Sequence, residues 1–147
     1  KINFDLSNAT LIHGGGWKKL ENSKVSSNDF KLMLQDTCGL KNVHDYYGMV
    51  EQTGSIFFEC EKGFFHSSIF SDVIMRNEVL NLSKKNKIGL IQVLSILPLS
   101  YPGHNLLTED LGIYRGEDNC KCGRLGKYFN VIGRVPGTDL RGCSDTN

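Results

Sequence analysis

A mixed α/β, α+β-type domain dominated by strands, with one clear helix near the N-terminus, is the fold class the sequence predicts. Three observations carry it. Between residues 43 and 135, six segments rich in β-branched and aromatic residues are separated by Gly, Asn, Asp or Pro. A single segment, opening at Ser26, combines a helix start, an apolar face and a stop signal. The chain of 147 residues, 39% hydrophobic and 22% charged, has the balance of a globular domain that builds its core without a disulfide framework.

Taken in order, Thr10 to His13 is a short extended run ending in Gly14, Gly15 and Gly16. Three successive glycines give either a flexible loop or a backbone that approaches a flat or charged ligand closely. Ser26 with Asp29 is a capping-box-like start, Phe30, Met33 and Leu34 share one face, and Gly39 ends the turn, so a helix of about three turns is expected here. The strands expected are Val43 to Tyr47, Ser55 to Cys60, Phe70 to Arg76, Lys87 to Leu97, Asp110 to Arg115 and Tyr128 to Val135. The longest apolar stretch, Ile88 to Leu97, is interrupted by Gln92 and Ser95 and falls short of the about 20 residues a bilayer demands. It reads as a buried strand, and no membrane span is expected. Asn81 to Lys87, with three lysines, reads as a hairpin tip in solvent.

Neither a repeat nor a linker interrupts the chain, so residues 1–147 are read as a single domain. It starts Lys-Ile-Asn-Phe-Asp, without an initiator Met or a signal peptide, which leads us to expect a fragment. The 17 basic and 16 acidic residues leave a net charge of +1. Without a basic patch, nucleic acid and anionic membranes lose their main electrostatic attraction. Five cysteines, Cys38, Cys60, Cys120, Cys122 and Cys143, are an odd number in a chain too large for a disulfide mini-protein. Reduced thiols in a cytoplasmic protein are the expectation.

Some of those thiols have metal-ligand spacing. Cys120-Lys121-Cys122 puts two thiolates one residue apart, and Cys60 with His66 adds a sulfur and an imidazole. Together they would make a Cys₃His set, which suits structural zinc and leaves no open position for catalysis. The alternative is that Cys60 is a small buried hydrophobe and the others are incidental. Elsewhere, Asp45-Tyr46-Tyr47-Gly48-Met49-Val50-Glu51 joins an aromatic face, a glycine and a carboxylate. A nucleotide calls for a flat stacking surface and an oxygen ligand for the magnesium on its phosphates, although by composition alone core plus surface explains this segment better. Thr108-Glu109-Asp110-Leu111-Gly112 offers a carboxylate for ribose hydroxyls, and Gly133-Arg134 a planar cation.

The order of these segments, Gly14-Gly15-Gly16, Tyr47-Gly48-Met49-Val50-Glu51, Thr108-Glu109-Asp110-Leu111-Gly112, then Gly133-Arg134 with Asp139 and Arg141-Gly142, resembles the second half of the large domain of adenylate-forming enzymes. Phe58-Glu59-Cys60 with Gly63 and His66, and Cys120-Lys121-Cys122-Gly123-Arg124, are similar to the phenylacetate-CoA ligase branch. The run from Gly126 to Arg134, followed by Gly137-Thr138-Asp139-Leu140-Arg141-Gly142-Cys143-Ser144-Asp145, resembles most the acyl-protein synthetases, the long-chain fatty acid luciferin-component ligases of bacterial luminescence.

The resemblance implies a β-rich, C-terminal portion of an adenylate-forming large domain, with ATP and magnesium as cofactors and a fatty acid as substrate. It sets Gly14, Gly15 and Gly16 along the adenine, Tyr47 and Gly48 on the stacking step, and Glu51 on the magnesium. Asp110 falls at the ribose-binding aspartate, although the family more often has Gly where this chain has Glu109. Arg134 falls at the arginine of the ribose and phosphate region. In the phenylacetate branch the positions of Cys60, His66, Cys120 and Cys122 hold a structural metal, which implies zinc. Cys143 occupies a place comparable to the acyl-accepting cysteine of the synthetases, and Arg141 beside it would favour the thiolate. The family's Ser/Thr/Gly-rich phosphate loop and its small-domain lysine have no counterpart here. The expected reaction is activation of a carboxylate as acyl-AMP and transfer to a cysteine thiol, with an acyl reductase and an acyl transferase as implied partners. Two other readings stand beside it: a CoA ligase of the phenylacetate branch, and a noncatalytic zinc-stabilised binding module.

Overall fold

A computed structural model describes residues 5–14, 16 and 23–138, and the chain divides into two compact units, one within residues 1–45 and one over residues 46–138. Gly15, Asp139, Arg141 and Cys143 lie outside the described residues.

In the first unit, β1 (Thr10–Gly14) precedes α1 (Ser27–Cys38), and β2 (Asn42–Tyr47) begins there and runs on into the second. The helix starts as expected. Ser26 is its N-cap, with the hydroxyl accepting from the Asp29 N–H at 3.1 Å and donating to the Asp29 carboxylate at 2.7 Å. Gly39, at φ 72°, ends it in the left-handed conformation and donates its N–H to Gln35 O. Phe30, Leu34 and Cys38, four residues apart, form the half-buried stripe, whereas Met33 is exposed. The apolar face is thus narrower than the sequence predicts, since no helix residue is fully buried and a single i, i+4 row suffices. His13 meets the Phe30 ring edge-on at 5.2 Å, and its Nδ1 lies 3.7 Å from Asp45 Oδ1.

The second unit continues β2 and adds β3 (Phe57–Glu59), β4 (Phe65–His66), β5 (Ser71–Arg76), β6 (Ile88–Ser95), β7 (Asn105–Glu117) and β8 (Lys127–Arg134). Spatially the order is β2-β3-β4-β8-β7-β6-β5, with antiparallel pairing. The last strand is therefore inserted between β4 and β7, which brings chain segments distant in sequence side by side. Alternate residues of β5 and β6, among them Val73, Met75, Ile91 and Val93, point into one core, as the two-residue period of a strand dictates. Phe57, Phe65 and Phe129 complete that core, with Tyr47, Met49, Leu106, Tyr114 and Val131 packed against it.

Strand lengths differ from expectation where turns and bulges compete. The segment from Ser55 to Cys60 keeps only three ladder residues, because the Ser55 N–H turns back to Gln52 O and the Cys60 N–H to Phe64 O. Conversely, β7 extends well beyond Asp110 to Arg115. Its glycines are absorbed by register shifts at Leu111/Gly112 and Tyr114/Gly116, and a Cβ on Gly112 would lie 2.8 Å from Asn130 O and from the Ile91 side chain. The Ile88-to-Leu97 stretch is buried on one face only: Ile88 and Ile96 are exposed. Lys84, Lys85 and Lys87 are exposed on the β5–β6 connection, as expected of a hairpin tip. Among the described residues no helix is long and apolar enough to cross a membrane.

Candidate active site and candidate metal centre

Tyr47 ends β2 and packs into the aromatic core, edge-on to Phe65 and Phe129 and tilted over Phe57. Its hydroxyl emerges from that packing and donates to Asp110 Oδ2 at 2.8 Å. Burial pushes the phenol well above the ordinary tyrosine range; the Asp110 charge and hydrogen bond add to this, while Thr108 and Arg134 act the other way. Asp110 lies opposite Arg134 in the β7–β8 register, beside a bulge that redirects the strand. Arg134 Nε is 3.7 Å from Asp110 Oδ1, and Nη2 is 3.7 Å from Glu109 Oε2. Thr108 Oγ1 accepts the Asp110 N–H at 3.1 Å and donates to Ile91 O.

Three separated motifs thus converge: a hydroxyl, a carboxylate and a guanidinium occupy one polar spot on an aromatic floor. Gly48 has a local reason as well, since a Cβ there would lie 3.3 Å from Ser55 O. Glu51 is exposed on a single 3₁₀ turn, Val50–Gln52. In the first unit, Gly14 ends β1 and Gly16 has φ 97° with open space where a Cβ would sit. Glu109 as a partner of Arg134, and Thr108 as the bond that shapes the β7 backbone, had no distinguishing signal in the sequence.

The second constellation is built from two loops. After β3 the chain makes a tight turn, Cys60 N–H to Phe64 O and Gly63 N–H to Cys60 O, with Gly63 at φ 75°. The β7–β8 loop repeats the device: Gly123 N–H bonds Cys120 O, with Gly123 at φ 82°. These turns bring donor atoms of Cys60, His66, Cys120 and Cys122 all within 4.8 Å of one another. Cys60 is 1% exposed, His66 6% and Cys120 7%.

The Cys122 Sγ lies 3.4 Å from His66 Nε2 and accepts the Arg124 N–H at 3.4 Å. His66 stacks on Tyr128 at 5.7 Å, and Arg124 lies over the Phe58 ring. Burial, then the Arg124 charge, hold His66 below the usual histidine range, which favours the neutral ring that a metal needs as a ligand. Burial pushes the Cys120 thiol up to about 11. At Cys122 burial acts in the same direction, but hydrogen bonds from Arg124 and the neighbouring thiols outweigh it and the thiol is lowered. Donors around tetrahedral zinc, bound at about 2.0 to 2.3 Å, stand about 3.3 to 3.8 Å apart. A contraction of roughly an ångström would complete that geometry, and the donor set is one zinc prefers. In the first unit, the Cys38 thiol donates to Leu34 O.

The fold is that of adenylate-forming enzymes. McyG A-PCP, in complex with phenylalanyl-adenylate, superposes with a TM-score of 0.58 at 17% identity over 92% of this chain and 26% of that one. The luciferase-like enzyme of Zophobas morio gives 0.57 at 19% identity, covering 89% and 33%. Apo MatB of Rhodopseudomonas palustris gives 0.56 at 16% identity, covering 86% and 26%. Residues 1–147 match the family model "Acyl-protein synthetase, LuxE", and the chain belongs to that family. Long-chain-fatty-acid–luciferin-component ligases are similar to it: that of Vibrio harveyi is 26% identical over 138 residues and that of Aliivibrio fischeri 31% over 111. These alignments cover 91% and 71% of this chain but only 35% and 28% of the ligases. The chain therefore spans about a third of the length of the curated relatives it matches.

Proposed function

We propose that this chain is the C-terminal portion of an ATP-dependent acyl-protein synthetase, one that activates a fatty acid and passes the acyl group to a protein cysteine. The observation that carries the reading is the meeting of Tyr47, Asp110 and Arg134, from three distant motifs, at one spot. Tyr47 and Gly48 receive the adenine, and Asp110 accepts from the ribose hydroxyls while Tyr47 and Arg134 fix its orientation. Arg134 offsets negative charge near the phosphates, and Gly14, Gly15 and Gly16 are proposed for the adenine on the family resemblance alone. Glu51 would hold a magnesium ion, whose charge would offset that of the triphosphate.

A fatty acid carboxylate oxygen attacks the α-phosphorus of ATP, the bond to pyrophosphate breaks, and acyl-AMP forms. The Cys143 thiolate then attacks the acyl carbon, AMP leaves, and a thioester remains. Cys60, His66, Cys120 and Cys122 would hold zinc in a structural role, since four protein donors leave no open position for catalysis. Relatives named for fatty acid and luciferin-component ligation support this substrate class. An acyl reductase and an acyl transferase are the proposed partners.

Full-length protein given ATP, magnesium and labelled hexadecanoic acid tests the reading. Wild type should exchange pyrophosphate and acquire label released by neutral hydroxylamine. Cys143→Ser should keep the exchange and lose the label, because a hydroxyl cannot replace a thiolate near neutral pH. Coenzyme A consumption without protein labelling would replace this reading with the CoA ligase one.

A further inference from the structure

The turn that carries Glu51 has little packing of its own: Val50, Glu51, Thr53 and Gly54 are exposed, and Gln52 alone is buried. It is secured instead by the loop between β6 and β7, some fifty positions away. The Tyr101 hydroxyl donates to Glu51 O at 2.7 Å and accepts the Thr53 N–H at 3.3 Å, so one oxygen grips the backbone on both sides of Gln52. Gln52, 1% exposed, donates Nε2 to Gly103 O at 2.9 Å and ties the same turn to the same loop. Gly103 makes the approach feasible. A Cβ there would fall 2.3 Å from the Tyr101 ring and 2.8 Å from Glu51 O.

We propose that Tyr101 is a positioning residue for Glu51: through the Glu51 carbonyl it fixes the peptide from which the carboxylate reaches magnesium. The inference rests on the reading of Glu51 as the magnesium-binding residue. Magnesium takes oxygen ligands in a near-ideal octahedron with short bonds, so an exposed carboxylate binds it well only if its backbone is held still. Val50–Gln52 is one turn long, and its internal bonds, Gln52 N–H to Met49 O and the Thr53 hydroxyl to Val50 O, do not anchor it to the sheet. The clamp from the β6–β7 loop does. Gly103 is part of the device because it admits the ring.

Tyr101→Phe in the full-length enzyme removes the hydroxyl and keeps the ring. Pyrophosphate exchange with hexadecanoic acid is followed against magnesium concentration, beside Glu51→Gln and a melting curve. Half-saturation by magnesium should rise about fivefold, the equivalent of one ordinary hydrogen bond, with the rate at saturating magnesium reduced far less. The melting temperature should stay within about 4 °C of wild type. Gly103→Ala, which displaces the ring, should move half-saturation in the same direction and serves as the test if Tyr101→Phe does not fold. Magnesium dependence like that of wild type in both folded variants, while Glu51→Gln loses it, overturns the positioning role and leaves Glu51 in place. A lower melting temperature with unchanged half-saturation overturns it too, leaving a merely structural contact. If Glu51→Gln itself titrates like wild type, the magnesium reading of Glu51 fails, and the inference with it.

Discussion

Tyr47→Phe removes one hydroxyl and leaves the aromatic floor of Phe57, Phe65 and Phe129 in place, so it isolates the bond to Asp110. Losing it should weaken ATP binding by about 1 kcal/mol, roughly fivefold, with little effect on folding, and isothermal titration of the full-length protein measures that. The same variant exposes a pH effect. The folded phenol holds its proton more tightly than the unfolded one, whose value is near 10. Its contribution to stability is therefore complete below about pH 10 and declines as pH rises further, because the unfolded state then releases the proton first. Wild type should lose stability more steeply than Tyr47→Phe in denaturant titrations above that pH. Residue types and spacing made Tyr47, Glu51, Asp110 and Arg134 legible as candidates. Their relation was not, since Asp110 faces Arg134 only in the β7–β8 pairing, across a long loop and two bulges whose one-residue shifts cancel.

At the scale of elements, the helix was the most legible because its signals are local: Ser26 caps it and Gly39 ends it. Ser26→Ala should cost about 1 kcal/mol in chemical denaturation by leaving a helix N–H unmet. Strands of the β5–β6 hairpin were legible from composition, while β4, only two residues, is too short to show any period. The β3–β4 turn and the β7–β8 loop are coupled through Cys60, His66, Cys120 and Cys122, and a zinc ion there would hold both. Purified protein should then contain about one zinc per chain, and strong chelator should release it and lower the melting temperature. Lys121 and Arg124, both exposed on that loop, should become rapid trypsin sites after chelation. Metal analysis with mass spectrometry of the digests checks both points; unchanged cleavage in chelator would remove the metal from the account of the loop.

At the scale of the molecule, the chain spans about a third of its curated relatives, and phosphoryl-site catalysis is mostly positioning and electrostatics spread over many contacts. The 147-residue chain alone should therefore show no pyrophosphate exchange with ATP and hexadecanoic acid. Exchange above background would mean that these residues suffice for activation. What the sequence by itself determined is whatever is encoded by neighbours: the helix ends, the strand-rich composition, the order of the motifs and hence the family. Register, bulges and the insertion of β8 between β4 and β7 were decided by tertiary structure, because they are set by packing among Phe57, Phe65, Ile91 and Phe129 rather than by any one segment. The clamp of Tyr101 on the Glu51 turn belongs to the same class. A hydrogen bond between residues fifty positions apart leaves no periodic trace in the chain, and it exists only once the sheet has brought the two loops together.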